Sequence, residues 1–221
     1  MNHIARLTLL VGLAACTGGK QATVGPEPAE AQESKIKMPP AAALPLLGIA
    51  GQPVGVLPTT LVVPRDSLAG KAPFVDRASG QRWVDSVFGE GLQFRAPEVN
   101  WKLPAQLRSM ARQAPGIAAD PDYMGQAVLR NPEIKKVPDP LISNLRTLMG
   151  IAGGRFMLVP AAFSFQHDST GAVEVRANLA GVDTRLGDVV FRSYIEATGA
   201  TPAEAMEKML GILLPAATFE P

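Results

Sequence analysis

The clearest pattern of apolar positions lies in the last third of the chain. Asp139-Pro140 predicts a helix N-cap followed by proline at the first helical position. Apolar residues then recur at i, i+4, i+7, i+8 and i+11 on one face, at Leu141, Leu145, Leu148, Met149 and Ala152. The pair Gly153-Gly154 is typical of a helix end. The pattern therefore predicts an amphipathic helix over 141–152.

Three strands and a closing helix are predicted after it. Residues 155–165 are a mostly apolar run, residues 173–183 begin with alternating apolar and polar positions, and residues 188–197 are rich in β-branched and aromatic residues. Polar turns at 167–171 and 184–187 separate these segments, so we expect an antiparallel meander. A capping box at Thr201-Pro202-Ala203-Glu204 then starts a helix that Pro215 stops, with an apolar stripe of Met206, Met209, Leu210 and Leu213.

Dense proline and glycine weaken the pattern before residue 139. Residues 54–63 predict a first strand, in which Pro58 indicates a bulge, an edge position or a break. Further predicted segments are a helix over 76–88 closed by Gly89 and Gly91, a short strand over 92–99, and helices over 104–113 and 121–129. This order predicts an α+β fold: a mixed sheet with a C-terminal three-stranded antiparallel meander, packed against helices.

We expect residues 53–215 to form one α/β domain and residues 16–52 to be a lipidated cysteine followed by a disordered, flexible tether. Gly, Pro, Ala, Glu, Gln and Lys dominate from residue 17 to residue 40, without an apolar period. Stretched out, a tether of roughly 35 residues reaches on the order of 110 Å. The more apolar stretch 41–49 is expected to lie against the domain.

The only cysteine of the chain, Cys16, follows a short apolar run. The string Leu13-Ala14-Ala15-Cys16 resembles a bacterial lipobox, and residues 7–13 are too short to span a bilayer. We therefore predict a lipoprotein signal peptide over 1–15 and lipid attachment at Cys16, with palmitate among the acyl chains. Thr17, where aspartate would retain a lipoprotein at the inner membrane, favours the outer membrane. The alternatives are an ordinary secretory signal or a cytoplasmic apolar N-terminus.

Charge argues against nucleic acid as a partner. The full chain has 21 Lys and Arg against 20 Asp and Glu, and no block of basic residues. Removal of residues 1–15 takes away one arginine, Arg6, so the charges then balance. Such a chain has no field that would attract a polyanion. With Cys16 acylated, no thiol remains for a disulfide or for redox chemistry.

No motif in the sequence predicts catalysis, a metal or a cofactor. The mature chain has one histidine, His167, in a polar turn, where we expect a solvated residue. Two aspartate pairs, at 120 and 122 and at 183 and 188, flank turns, where aspartate bonds its own backbone. The glycine pairs at 18–19 and 153–154 lack the setting of a nucleotide site, and Lys135-Lys136 is expected at a solvated corner.

Two apolar features leave alternatives open. The methionine-containing stripe of the last helix is a core face first, and a groove for a partner second. Trp101 is expected to be buried, with an exposed interface anchor as the other interpretation.

The run from Leu141 to Leu214 is similar to a group of envelope lipoproteins. The similarity rests on a leucine-bearing helix before residues 153–159, on the strand and turn of residues 181–191, and on the helix that starts at residues 201–205. The group contains relatives of the curli-secretion lipoprotein, the lipoprotein activators of penicillin-binding proteins and the N-terminal domain of TolB. The chain departs from it at Phe191, where tryptophan is frequent, and in the middle third. The resemblance implies a small periplasmic α/β domain that binds other envelope proteins.

The sequence therefore favours a membrane-anchored periplasmic lipoprotein that is not an enzyme. It would act as a protein-binding accessory, namely a scaffold, adaptor or activator, of an envelope complex. One alternative is a binding module for a small apolar ligand, which requires a sizeable closed apolar pocket between helix and sheet. The other is a hydrolase, which requires His167 to be buried beside a carboxylate and a serine.

Overall fold

The computed structural model describes residues 37–215. Cys16 and the predicted signal peptide therefore lie outside the described residues. The strands and α-helices, in chain order, are β1 (Pro53–Val56), β2 (Val62–Pro64), α1 (Arg77–Arg95), β3 (Asn100–Lys102), α2 (Pro104–Gln113), α3 (Leu141–Ala152), β4 (Phe156–His167), β5 (Val173–Asp183), β6 (Asp188–Gly199) and α4 (Pro202–Leu213). No helix in this part of the chain is long and apolar enough to cross a membrane.

One mixed sheet contains all six strands. Its order is β3-β1-β4-β5-β6, and β2 pairs with β4 further along that strand. The pairs β1–β3, β1–β4 and β2–β4 are parallel, whereas β4, β5 and β6 form the antiparallel meander. The predicted fold class is confirmed, because the domain is α+β with the meander packed against helices.

Helices cover both faces of the sheet. On one face α1 and α4 pack through apolar side chains such as Phe88 and Met209. On the other face α2 and α3 pack through side chains such as Leu107 and Leu148. Each helix therefore buries one apolar stripe against the sheet, which is the main source of stability for amphipathic helices.

The first predicted strand is broken in two. Pro58 lies in the gap between β1 and β2, as the proline indicated. The predicted helix end at Gly89 and Gly91 is wrong, because α1 continues to Arg95 and replaces the predicted strand over 92–99. Both glycines serve close packing: a Cβ at Gly89 would lie 3.1 Å from Leu103 Cδ1, and one at Gly91 would overlap Leu210.

Two smaller predictions also differ from the structure. The segment predicted as a helix over 121–129 forms two 3-10 turns, Pro121–Tyr123 and Gln126–Arg130. Pro140, and not Asp139, occupies the N-cap position of α3, and Asp139 instead accepts a hydrogen bond from Ser143 Oγ at 2.6 Å. Gly153 ends α3 with a φ of 73°, in the left-handed region that glycine tolerates.

Residues 42–49, here called the strap, lie against the domain as expected. The Ala42 amide donates to Ser193 Oγ on β6 at 2.8 Å, and that hydroxyl donates to the Ala42 carbonyl at 3.0 Å. The Leu44 amide donates to the Leu213 carbonyl at the end of α4. The strap then leads into β1, so the chain first binds the domain at the edge strand β6.

Candidate functional site

The topology creates a crevice at the carboxyl ends of β1 and β3. The chain passes from β1 through β2 to α1 on one face of the sheet, and from β3 directly into α2 on the other face. The two neighbouring parallel strands therefore send their connections to opposite faces. In open α/β sheets, ligands bind at such switch points, outside the carboxyl ends of the strands.

The crevice opens into a cleft of about 600 Å³ that we call the switch-point cleft. Pro58 ends the first strand, so the backbone of Thr59 and Thr60 turns away from the sheet. Helix α1 contributes its first turns, α2 contributes Arg108, and a 3-10 turn contributes the opposite wall. The lining side chains are Thr59, Thr60, Arg77, Ala78, Gln81, Arg82, Arg108, Asp122 and Tyr123.

Arg108 joins the walls of the cleft. Its Nη2 atom lies 2.8 Å from Asp85 Oδ2 and 2.8 Å from Asp122 Oδ1, and its Nε lies 2.9 Å from Asp122 Oδ2. The Thr59 amide donates to Asp85 Oδ1 at 2.7 Å. The guanidinium of Arg108 on α2 thus binds both α1 and the 3-10 turn. Asp85 also binds the segment that follows β1, through the Thr59 amide.

The two ends of the Arg108–Asp85 pair have shifted pKa values. Burial raises the pKa of the Asp85 carboxyl, although the Thr59 amide and Arg108 partly oppose that rise. The hydrogen bond with Asp122 raises the pKa of the Arg108 guanidinium. The side chain of Asp85 is 8% exposed, so its charge depends on Arg108 for compensation.

Arg77 and Arg82 stand at the mouth of the cleft and are exposed. Arg77 Nη2 donates to the Thr60 carbonyl at 3.0 Å, and Arg82 Nη2 lies 3.4 Å from Ser79 Oγ. Among the side chains that the structure describes, neither arginine has a carboxylate within 4.0 Å. Most of their hydrogen-bond donors therefore face solvent.

Gln126 closes the inner end of the crevice and is 1% exposed. Its Nε2 donates to the Pro58 carbonyl at 2.8 Å, to Thr60 Oγ1 at 3.0 Å and to the Pro160 carbonyl at 3.4 Å. These acceptors lie where β1 leaves the ladder and where β4 bulges after Pro160. The side-chain amide of Gln126 thus donates to backbone carbonyls near the break in the strand, where the regular pairing of the sheet is interrupted. Its Oε1 has no partner among the described residues.

An apolar groove lies beside the strap, at the amino ends of β1 and β4. Its volume is about 140 Å³, and its lining includes Leu44, Ile49, Val54, Phe156 and Phe191. Ligand pockets usually measure about 300–1,000 Å³. The groove is smaller than these and open to solvent, so it is not the sizeable closed pocket that an apolar-ligand module requires.

The structure separates most of the residues that the sequence singled out. Trp101 is 4% exposed, and its Nε1 donates to the Ala96 carbonyl at 2.9 Å. The interpretation of Trp101 as an exposed anchor is therefore wrong. The apolar stripe of α4 is buried in the core, which is the interpretation that the sequence favoured. Its residues are all at most 3% exposed: Met206, Met209, Leu210 and Leu213.

His167 ends β4 and is half-buried. Its Nδ1 lies 3.0 Å from the Gly171 carbonyl, and within the described part of the chain no serine or carboxylate bonds the ring. The geometry that a hydrolase would require is therefore not formed at this histidine.

One aspartate of each pair binds the backbone near its turn, as predicted, whereas Asp122 and Asp188 form ion pairs. Asp120 accepts from the Asp122 amide at 3.0 Å, and Asp183 accepts from the Arg185 amide at 3.0 Å. Asp188 forms an ion pair with Lys136 at 2.7 Å.

No motif of the sequence singles out Arg77, Arg82, Arg108 or Gln126. The available signal was the position of Thr59-Thr60 directly after a strand that Pro58 interrupts. Polar residues there indicate the carboxyl end of a strand, but only the topology shows which helices lie beside it.

Comparisons with known proteins find similarity in solved structures. No family model matches the sequence, and no curated protein matches it significantly. The LpoB C-terminal domain from Salmonella enterica is 14% identical over 68% of this chain and 85% of that chain, with a TM-score of 0.39. The PelC dodecamer from Paraburkholderia phytofirmans is 13% identical over 80% of this chain and 97% of that chain, with a TM-score of 0.38. Lipoprotein GNA1162 from Neisseria meningitidis is 14% identical over 68% of this chain and 82% of that chain, with a TM-score of 0.33.

The fold matches the lipoprotein-domain group that the sequence resembles. All three TM-scores are below 0.5. The similarity concerns the general arrangement of helices and strands.

Proposed function

We propose that the chain is a lipid-anchored envelope protein that binds other envelope proteins without turnover, as a scaffold, adaptor or activator. Acyl chains on Cys16 would hold it at the membrane, on the periplasmic side and in the outer membrane. The tether would provide reach, and the anchor would raise the local concentration of the domain near its partner.

The observation that carries this proposal is the position of the strap relative to the switch-point cleft. The strap binds the domain at β6, the outermost strand of the meander. The cleft opens at the carboxyl end of β1, which β4 and β5 separate from β6, while the rest of the strap passes the amino ends of β1 and β4. A domain that is attached through its N-terminal segment would therefore keep the cleft accessible to a partner.

The residues of the cleft support binding to a protein. Two carboxylates compensate Arg108, which fixes the walls. Tyr123 is 86% exposed at the rim, and tyrosine and arginine are frequent among the residues that contribute most to protein interfaces.

Lipid attachment is tested by labelling cells with an alkyne analogue of palmitate. We expect the wild-type protein to carry the label and to separate with outer-membrane vesicles on a density gradient. Cys16→Ala should remove the label and leave the signal peptide uncut. A wild-type protein without label would refute the anchor.

Protein binding is tested by photo-crosslinking in intact cells. A benzophenone side chain at position 123 should form a defined adduct with one envelope protein, identified by mass spectrometry. The matched control is the same side chain at position 170, an exposed turn residue far along the chain from the cleft residues. The adduct at position 123 should weaken when Cys16→Ala removes the acyl chains. Equal adducts from both positions, or none from position 123, would contradict the proposal.

A further inference from the structure

Three arginines, Arg77, Arg82 and Arg108, line the switch-point cleft beside one carboxylate, Asp122. Asp85 and Asp122 are both bound by Arg108, so they are not available to Arg77 and Arg82. A further arginine, Arg130, is close enough for Arg77 to act on it: burial and the charge of Arg77 lower the pKa of the Arg130 guanidinium. The Asp76 carboxylate at the N-cap of α1 acts on Arg82 by its charge, but among the described residues it forms no ion pair within 4.0 Å with Arg77 or Arg82.

Within the described residues, the guanidinium groups of Arg77 and Arg82 use few of their N–H donors in hydrogen bonds. The Thr60 carbonyl, which Arg77 contacts, already accepts a shorter hydrogen bond of 2.7 Å from Gln81 Nε2. Within the described residues, the one hydrogen bond of the Arg82 side chain is the long contact to Ser79, and its charge also acts on Asp76. A guanidinium has five N–H donors in a planar fork that matches a carboxylate, so both groups have donors left for a ligand.

The remaining groups of the cleft fit a peptide better than a free polyanion. Asp122 has 40% of its side chain exposed and offers acceptor oxygens beside the arginines. Such oxygens repel a highly charged phosphate ligand but accept hydrogen bonds from the backbone amides of a peptide. The exposed ring of Tyr123 adds apolar contact area at the rim.

We propose that the switch-point cleft binds an acidic segment of a protein partner, with an Asp or Glu carboxylate held by Arg77 and Arg82 and the backbone beside Asp122 and Tyr123. This inference rests on the proposed function, since it states what feature of the envelope partner is recognised.

The direct test uses the full acylated chain in detergent micelles. The probe is a fluorescent nine-residue peptide that alternates Glu and Ala, compared with a peptide in which Gln replaces every Glu. We expect the Glu peptide to bind at least tenfold more tightly, and its affinity to fall several-fold between 50 and 300 mM salt. Arg77→Ala combined with Arg82→Ala should weaken binding of the Glu peptide at least tenfold.

Two variants control this measurement. Arg185→Ala removes an exposed arginine in the turn before β6 and should leave binding unchanged. Arg77→Lys with Arg82→Lys keeps the charge but not the fork, so it should restore part of the affinity. Because both cleft arginines are exposed, we expect the variants to fold, which thermal unfolding checks.

Three outcomes would overturn the inference: equal binding of the Glu and Gln peptides, unchanged binding after the double alanine substitution, or equal binding of a single-stranded oligonucleotide of matched charge. The crosslink at position 123 separates this inference from the proposed function. A crosslink that persists in the double alanine variant retains the function and refutes the carboxylate site. Arginine-dependent peptide binding without any crosslink in cells refutes the function and retains the site.

Discussion

Gly154 and Gly150 are four residues apart and have opposite surroundings. A Cβ at Gly154 would overlap the backbone carbonyl oxygen of Pro53 and the Cε of Met149, whereas a Cβ at Gly150 would meet nothing within 4 Å. We expect Gly154→Ala to lower the free energy of unfolding by about 2 kcal/mol, because the backbone of β1 must move. Gly150→Ala, in an exposed position of α3, should raise it by about 0.5–1 kcal/mol. Urea unfolding of both variants measures the two changes. A lower free energy of unfolding in Gly150→Ala would contradict the prediction that position 150 has room for a methyl group.

Arg108 compensates a buried charge, so its removal should have a pH-dependent effect. In Arg108→Met the pKa of Asp85, already raised by burial, should rise further because the hydrogen bond and charge of the guanidinium are gone. A carboxyl whose pKa is higher in the folded state than in the unfolded state loses stability as pH rises between the two values. We expect Arg108→Met to lower the free energy of unfolding by about 2 kcal/mol at pH 7, and by roughly half as much at pH 4.

The control for this prediction removes the charge of Asp85 as well. Asn at position 85 can still accept the Thr59 amide, so Asp85→Asn with Arg108→Met should lose most of the difference between pH 4 and pH 7. Urea unfolding at the two pH values measures it. A destabilisation of Arg108→Met that is equal at both pH values would show that Asp85 does not depend on Arg108.

At the scale of the elements, the buried side-chain amide of Gln126 stabilises the break between β1 and β2. Gln126→Met keeps the size of the side chain but removes the donor that serves the carbonyls of Pro58 and Pro160. We expect the free energy of unfolding to fall by about 2 kcal/mol, because buried acceptors lose their partner. Gln113→Met, at an exposed position of α2, should change it by less than about 0.5 kcal/mol. Similar values for both variants would contradict this role of Gln126.

The sequence predicted elements well where one pattern controlled them. From residue 141 onward, the stripes of α3 and α4, the alternation in β5 and the glycine turn after α3 all point to one structure, and all are found. Between residues 89 and 102 the local pattern fails. Glycine usually weakens a helix, but Gly89 and Gly91 occur inside α1 because Leu103 and Leu210 pack against it. Contacts between residues distant in sequence determine the secondary structure of that segment, and the local hydrophobic pattern does not indicate them.

The candidate site was not predictable for the same reason. Arg77, Arg82 and Arg108 lie on two different helices, and their spacing along the chain contains no motif. They come together because β1 and β3 are neighbours whose connections lie on opposite faces of the sheet. The sequence predicted the strand break at Pro58, but the sheet order that places a cleft beside it depends on tertiary pairing.

At the scale of the molecule, the strap connects the predicted anchor to the domain. Residues 42 and 44 are hydrogen-bonded to β6 and to the end of α4, which are themselves neighbours in the core. Any force on the chain before residue 42 therefore reaches the meander first, and not the strands β1 and β3 that form the switch-point cleft. This arrangement favours a cleft whose shape does not depend on tension in the predicted tether.

Ser193 is the side chain that holds the start of the strap, and it is fully buried. Ser193→Ala removes both hydrogen bonds to Ala42 while leaving the bond from the Leu44 amide to Leu213. We expect the Ala42 amide to exchange with solvent at least tenfold faster, and the free energy of unfolding to fall by about 1 kcal/mol. Binding of the Glu peptide should be unchanged, because β4 and β5 separate Ser193 on β6 from β1, which leads into the cleft. Ser164→Ala on β4 is the matched control, and unchanged exchange at Ala42 in Ser193→Ala would show that the apolar contacts of the strap hold it without this serine.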